Sequence, residues 1–174
     1  MKCPECGVND ELCLGGGTNP NFHGTNLEYM PIFRPNIDII VHPNVDIVHN
    51  LEYGIPIHDN HASEIEVVHL LQHFSWKSIP FFLKDCLRVL KPGGHIYFMV
   101  SDLEWVFQQV LKEGLTPGHI CSIWGEHDYD SDYHRTGFTY PLLRQQMEEA
   151  GFVGLTPPFK RNSWEVSIQG YKPQ

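Results

Sequence analysis

"EIEVVHLLQHFSWKSIPFFLKDCLRVLKPGGHIYFMV", Glu64–Val100, contains a complete strand, helix and strand. Glu64–Leu70 is rich in β-branched residues and reads as a strand. Beyond it, Ile79, Phe82, Leu83, Cys86 and Leu90 fall on one helical face, with Ser75 as the candidate cap. The "KPGG" of Lys91–Gly94 supplies the residues that end helices. His95–Val100, "HIYFMV", is apolar throughout, as a strand buried on both faces would be.

Outward from this unit the alternation continues. Leu12–Leu14 is a short buried strand that enters three glycines, Gly15–Gly17. Leu27–Met30 is a second strand candidate and Val45–His49 a third. Ser101 and Glu104 match a capping box for a helix that turns Leu103, Val106, Phe107, Val110 and Leu111 inward. Thr139 caps a helix that runs to Ala150 and stops at Gly151. Phe152–Leu155 and Ser163–Tyr171 follow as two closing strands with an antiparallel edge. Strands alternating with helices predict a parallel sheet flanked by helices.

The 174 residues suffice for one domain with a substantial core. Hydrophobic residues make up 41% and aromatic residues 12%, as in globular proteins. No apolar run approaches the roughly 20 residues that span a bilayer. The N-terminus "MKCPECG" has no hydrophobic signal region, which predicts a cytoplasmic protein. A formal charge of −9 disfavours a nucleic-acid partner bound through phosphates. Five cysteines without an export signal predict reduced thiols. Cys3 and Cys6 form one C-x-x-C pair, so residues 1–10 read as a tail or a knuckle ahead of a domain at 11–174. Zinc on Cys3 and Cys6 is the weaker alternative, because no second pair follows.

In an open α/β sheet, ligands bind beyond the carboxyl ends of the strands. That rule selects Gly15, Gly16 and Gly17, then Glu28, then Asn50 with Leu51, then Leu70–His73. A glycine turn admits a ligand close to the backbone, and a carboxylate at the next strand end can accept from two ribose hydroxyls. Together they describe a nucleoside site. Asp38 is a rival for Glu28, at a spacing that suits a full intervening helix. The segment Gly114–Phe138 has weak periodicity and predicts an excursion across the sheet. Within it, residues Trp124–Phe138 predict few buried contacts and more mobility than the strands. Trp124–Phe138, "WGEHDYDSDYHRTGF", gathers His127, Tyr129, His134 and Arg135.

These motifs resemble the class I S-adenosylmethionine (SAM) methyltransferases, in particular a compact subgroup with a shortened first helix. "LGGG" with "TNPNFHGTNLE" is similar to the family's "LGCG" followed by "GWxNxD", which aligns Gly24, Asn26 and Glu28. "VDIVHNLEYGIPIHDNHASEIEVVHLLQHF", "LKDCLRVLKPGGHIYFMVSDLEWV" and "HRTGFTYPLLRQQMEEAGF" match further family blocks, so the likeness spans about Leu12 to Phe152. It implies a Rossmann-like, doubly wound, mostly parallel seven-stranded sheet with helices on both faces. It also implies SAM as cofactor, with S-adenosylhomocysteine as product, and a small-molecule acceptor. Gly15–Gly17 would hold the methionine moiety, Glu28 the ribose, and Asn50, Leu51 and Leu70 would flank the nucleoside. His73, His127, Tyr129 and Arg135 would face the substrate. His134 would be either a general base or a ring that pins the loop through a backbone carbonyl. Asn50 and Gln72 stand where the family usually has Asp and Glu. The alternative is therefore a degenerate copy that binds SAM, its product or a protein without catalysis.

Overall fold

The structure is a computed structural model and describes residues 8–15, 35–159 and 163–174. Six strands form one sheet in the order β3-β2-β1-β4-β5-β6. They are β1 (Glu11–Leu14), β2 (Asn36–Asp38), β3 (Ile47–Val48), β4 (Ala62–Val68), β5 (Leu90–Ser101) and β6 (Glu165–Tyr171). The first five are mutually parallel, and β6 runs antiparallel along β5. The helices are α1 (Ile79–Val89), α2 (Leu103–Glu113), α3 (Pro117–Trp124) and α4 (Tyr140–Ala150).

The β4–α1–β5 unit forms as its sequence pattern dictates. Ile79, Phe82, Leu83, Cys86 and Val89 are buried along one face of α1, and Leu90 opens β5 inside the core. Ser75 does not cap α1. Its hydroxyl accepts from Lys77 N at 3.2 Å, one turn before the helix begins. Within β5, Lys91–Gly94 is accommodated by a register shift opposite Ala62 and Glu64, after which His95–Ser101 pairs regularly.

Several expectations need correction. The sheet has six strands among the described residues, not seven. Phe152–Leu155 contributes only an isolated bridge, Val153 to Tyr171, on the outer side of β6. The strand beside β1 is Asn36–Asp38, while Leu27–Met30 lies outside the described residues. The cap of α2 is Asp102, not Ser101, and its carboxylate accepts from Glu104 N and Trp105 N. Of the apolar residues assigned to the inner face of α2, only Val106 is fully buried, and Leu111 is 88% exposed.

One ion pair ties the turn after β3 to α1. Asp85 is buried, and its Oδ2 accepts from Ile55 N at 2.6 Å and from Arg88 Nη2 at 3.1 Å. Arg88 in turn donates to the carbonyls of Ile55 and Ile57. A charged hydrogen bond of this kind is worth about 1.5–3 kcal/mol, and losing it strands a buried donor. Asp85→Ala should therefore lower the unfolding free energy in urea by about 2–3 kcal/mol. Leu111→Ser, on the exposed face of α2, should change it by less than about 0.5 kcal/mol.

Candidate functional site

The parallel strands end together, and their ends bring the sequence-selected residues to one edge of the sheet. Leu14 pairs with both Ile37 and Val67, so Gly15, Asp38 and Val68 stand at the same level where β1, β2 and β4 end, and His69 follows. Gly15 has φ +66°, and a Cβ there would stand 2.7 Å from the side chain of Leu70. Only glycine fits, because both the dihedral and the approach exclude a side chain. Gly15 N donates to Ile37 O at 2.9 Å, which fixes the exit of β1 against β2. Gly16, Gly17 and Glu28 lie outside the described residues, as do Cys3 and Cys6.

Asp38 ends β2 and is mostly buried, with Oδ1 accepting from Ile39 N at 2.6 Å. Its main-chain carbonyl accepts from His49 N at 2.8 Å, joining it to the exit of β3. Asn50 then caps the single turn Leu51–Tyr53, its Oδ1 accepting from Glu52 N at 3.0 Å. Leu51 is 2% exposed. Its side chain packs in the core cluster, and the turn it occupies stands at the strand ends.

The excursion folds back over this edge. Gly125 has φ +88°, and a Cβ there would collide with the carbonyl oxygen of Asp132. That close approach lets His134 N reach Trp124 O at 3.0 Å. Asp132 is 1% exposed and its Oδ2 accepts from Asp128 N at 3.2 Å. The sequence predicts few buried contacts here. Most of residues 124–138 are indeed exposed or half-buried, and a polar network closes around one buried carboxylate.

His73 and His134 meet edge to face, with ring centroids 5.0 Å apart. His134 Nδ1 donates to Ser122 O at 3.1 Å, and His73 Nδ1 donates to Tyr133 O at 3.3 Å. Burial, followed by the neighbouring His73, pushes the His134 pKa down to about 4. Burial also lowers that of His73. Burial and the charges of Asp132 and Asp38 push the Tyr129 phenol up to about 12, so the loop and the end of β2 act on each other electrostatically. His127 has φ +64° and donates to Trp124 O at 2.7 Å, with its ring 4.4 Å from that of Tyr133. Arg135 N donates to Gln72 O at 2.7 Å, and its guanidinium pairs with Glu52.

Sequence reasoning missed the polar group behind the edge. His69 has φ +49° and donates from Nε2 to Glu165 Oε1 at 2.7 Å. Glu165 is 0% exposed, and Trp164 stacks on the imidazole. Gln72 Nε2 lies 3.3 Å from His69 Nδ1, so the ring is held from both of its nitrogens. A glutamate in an alternating strand reads as an outward residue, so only its pairing partner reveals it. Among the described residues, no group of three or more His, Cys, Asp or Glu side chains could hold a metal ion. Nor is any helix among them long and apolar enough to cross a membrane.

Solved structures share this fold. The chain matches a SAM-dependent methyltransferase from Thermotoga maritima with a TM-score of 0.59 at 16% identity, covering 93% of this chain and 81% of that one. A SAM-dependent methyltransferase from Archaeoglobus fulgidus matches with a TM-score of 0.62 at 12% identity, covering 95% and 87%. Human N-acetylserotonin methyltransferase, in complex with SAM, matches at 0.58 and 14% identity, over 95% of this chain and 48% of that one. At these identities the likeness establishes the fold: the chain has the α/β Rossmann-like fold of SAM-dependent methyltransferases. No protein-family model matches the chain, and no curated protein matches it.

The buried histidines make stability depend on acidity. Unfolded, both rings take up a proton at a pKa of about 6.5. Folded, they resist it, His134 until about pH 4. The unfolded chain thus binds more protons over this range, and the stability present above about pH 6.5 is lost as the pH falls towards 4. Thermal melts across that range should record the loss, and His134→Gln should flatten it. A parent and variant with parallel profiles would contradict the assignment.

Proposed function

We propose that the chain is a SAM-dependent methyltransferase acting on a small-molecule acceptor, with the cofactor bound along the carboxyl edge of β1, β2 and β3. The observation that carries this reading is the adjacency of Gly15 and Asp38 at the ends of paired strands. Gly15 turns the chain at the strand end with a φ of +66° and no side chain on its backbone, and Asp38 offers a carboxylate one strand away. That donor set suits a nucleoside bearing a positively charged methionine group. Gly15–Gly17 would hold the methionine end, and the Asn50 turn would flank the adenine beside Leu70. Asp38 takes the ribose in preference to Glu28, because Asp38 ends the strand hydrogen-bonded to β1.

SAM supplies an electrophilic methyl group on a sulfonium. The chain's own work is to align an acceptor with that methyl, and orientation alone provides a large share of such a rate. His73, His127, Tyr129 and Arg135 are the candidate residues on the acceptor side. His134 is neutral at physiological pH and keeps Nε2 as a proton acceptor while Nδ1 is tied to Ser122 O. A pKa near 4 makes it a weak base. An orienting and pinning role therefore suits it better than proton abstraction. The net charge of −9 supports a small acceptor over nucleic acid.

A second reading is binding of SAM or S-adenosylhomocysteine without turnover. The amides at Asn50 and Gln72 favour it, since Asn50 Oδ1 is already engaged by Glu52 N. Calorimetric titration with S-adenosylhomocysteine tests what the two readings share. Asp38→Ala should weaken binding by about 1.5–3 kcal/mol, while Glu28→Ala should leave it nearly unchanged. The reverse pattern would transfer the ribose role to Glu28. No heat of binding in the parent protein would end the nucleoside reading. Incubation with radiolabelled SAM and a cell extract then separates turnover from binding alone.

A further inference from the structure

One carboxylate joins the Asn50 turn to the loop that carries His134. Glu52 sits on the turn Leu51–Tyr53. Its Oε1 accepts from Ser75 N at 2.9 Å and from Ser78 Oγ at 2.6 Å, and its Oε2 accepts from Arg135 Nη1 at 2.9 Å. Arg135 is held from the other end as well, because its N–H donates to Gln72 O at 2.7 Å. Thr136, next in the chain, donates from N to the same carbonyl and from Oγ1 to Phe74 O at 2.8 Å. Burial acts to raise the Glu52 pKa, but the bonds from Ser78, Ser75 and Arg135 outweigh it and hold the carboxyl below its usual value. The two oxygens divide their work. Oε1 organises the approach to α1, and Oε2 reaches across to the loop.

We propose that Glu52 is a positioning residue, a latch that holds Arg135 and so couples occupancy of the Asn50 turn to closure of the His134 loop. The part of this inference that involves a nucleoside rests on the function proposed above. A ligand that steadies the turn fixes Glu52, and Glu52 fixes the residue next to His134. Linkage makes the effect reciprocal, so breaking the latch weakens the ligand by the factor that the ligand would have tightened the loop. The pair is part-exposed, which limits the coupling to about 1.5–5-fold.

The test is hydrogen exchange of the amides of residues 126–134, with and without S-adenosylhomocysteine, alongside calorimetric affinities. Arg135→Met removes only the Oε2 arm and leaves the Oε1 bonds intact. It should speed exchange in the loop by about 1.5–5-fold and weaken S-adenosylhomocysteine by a similar factor. Glu52→Gln should do the same, and the double variant should be no worse than the more affected single variant. Arg135→Lys should recover part of both effects, which a purely structural loss would not. Unchanged loop exchange in Arg135→Met, or strictly additive effects in the double variant, would overturn the latch. If the parent protein does not bind S-adenosylhomocysteine, the nucleoside reading fails, and exchange in the ligand-free protein still decides whether Glu52 holds the loop.

Discussion

The close approach of Gly15 to Leu70 is the constraint on which the site depends. Two parallel neighbours, β1 and β4, must leave the sheet at the same level, and the chain leaving β1 passes over the first residue beyond His69. A Cβ on Gly15 would stand 2.7 Å from Leu70, so one of the two chains would have to move. Because Gly15 N is also bonded to Ile37 O, such a movement would carry β2 and Asp38 with it. The concave edge where β1, β2 and β4 end is thus set by one missing side chain. The pairing of Leu12 and Leu14 with Ile65 and Val67 supplies the rigid, apolar floor behind it.

The far side of that edge is fixed by polar groups. Burying the carboxylate of Glu165 costs several kcal/mol unless it is paired, and His69 provides the pair. His69 holds a positive φ, which costs a non-glycine residue about 1–2 kcal/mol. The bond to Glu165, the stacking on Trp164 and the bond from Gln72 together over-determine that conformation. The same Gln72 uses its main-chain carbonyl to receive Arg135 and Thr136. The end of β4, the start of β6 and the base of the excursion therefore share one network. A change at any of its members would be felt at the others.

How legible each part was follows from where its signal lay. The β4–α1–β5 unit and α4 were readable because their apolar spacing and their turn or cap residues agreed. β2 was not, since Asn36, Ile37 and Asp38 give three residues with no alternation to detect, and the sheet around them buries all of them. α3 escaped because its capping box uses Thr116 with His119, where glutamate or glutamine is the usual third partner. Phe107 and Leu111 have helical spacing but lie on a part of α2 that no described element covers. At the sheet edge, Gly15, Asn50, His73, His134 and Arg135 were singled out by strand-end logic and by resemblance. Glu52, Asp132 and Glu165 were not, because a lone acid in sequence reads as solvated until its buried partner is known.

The excursion shows how a polar segment can cover a site without an apolar face. Its neutral histidines pack against each other and against backbone carbonyls, so no positive charge has to be buried there. The negative charge that it does bury, on Asp132, accepts from the Asp128 amide and stands beside Tyr129, whose phenol is pushed up to about 12 first by burial and then by this charge. Such bonds fix geometry closely but add little net energy, because water would make them almost as well. The result is a loop held in one register rather than held down by its own burial. Its closure is therefore within reach of small energies, such as the contact of one guanidinium with one carboxylate, while the sheet edge beneath it is fixed by the core.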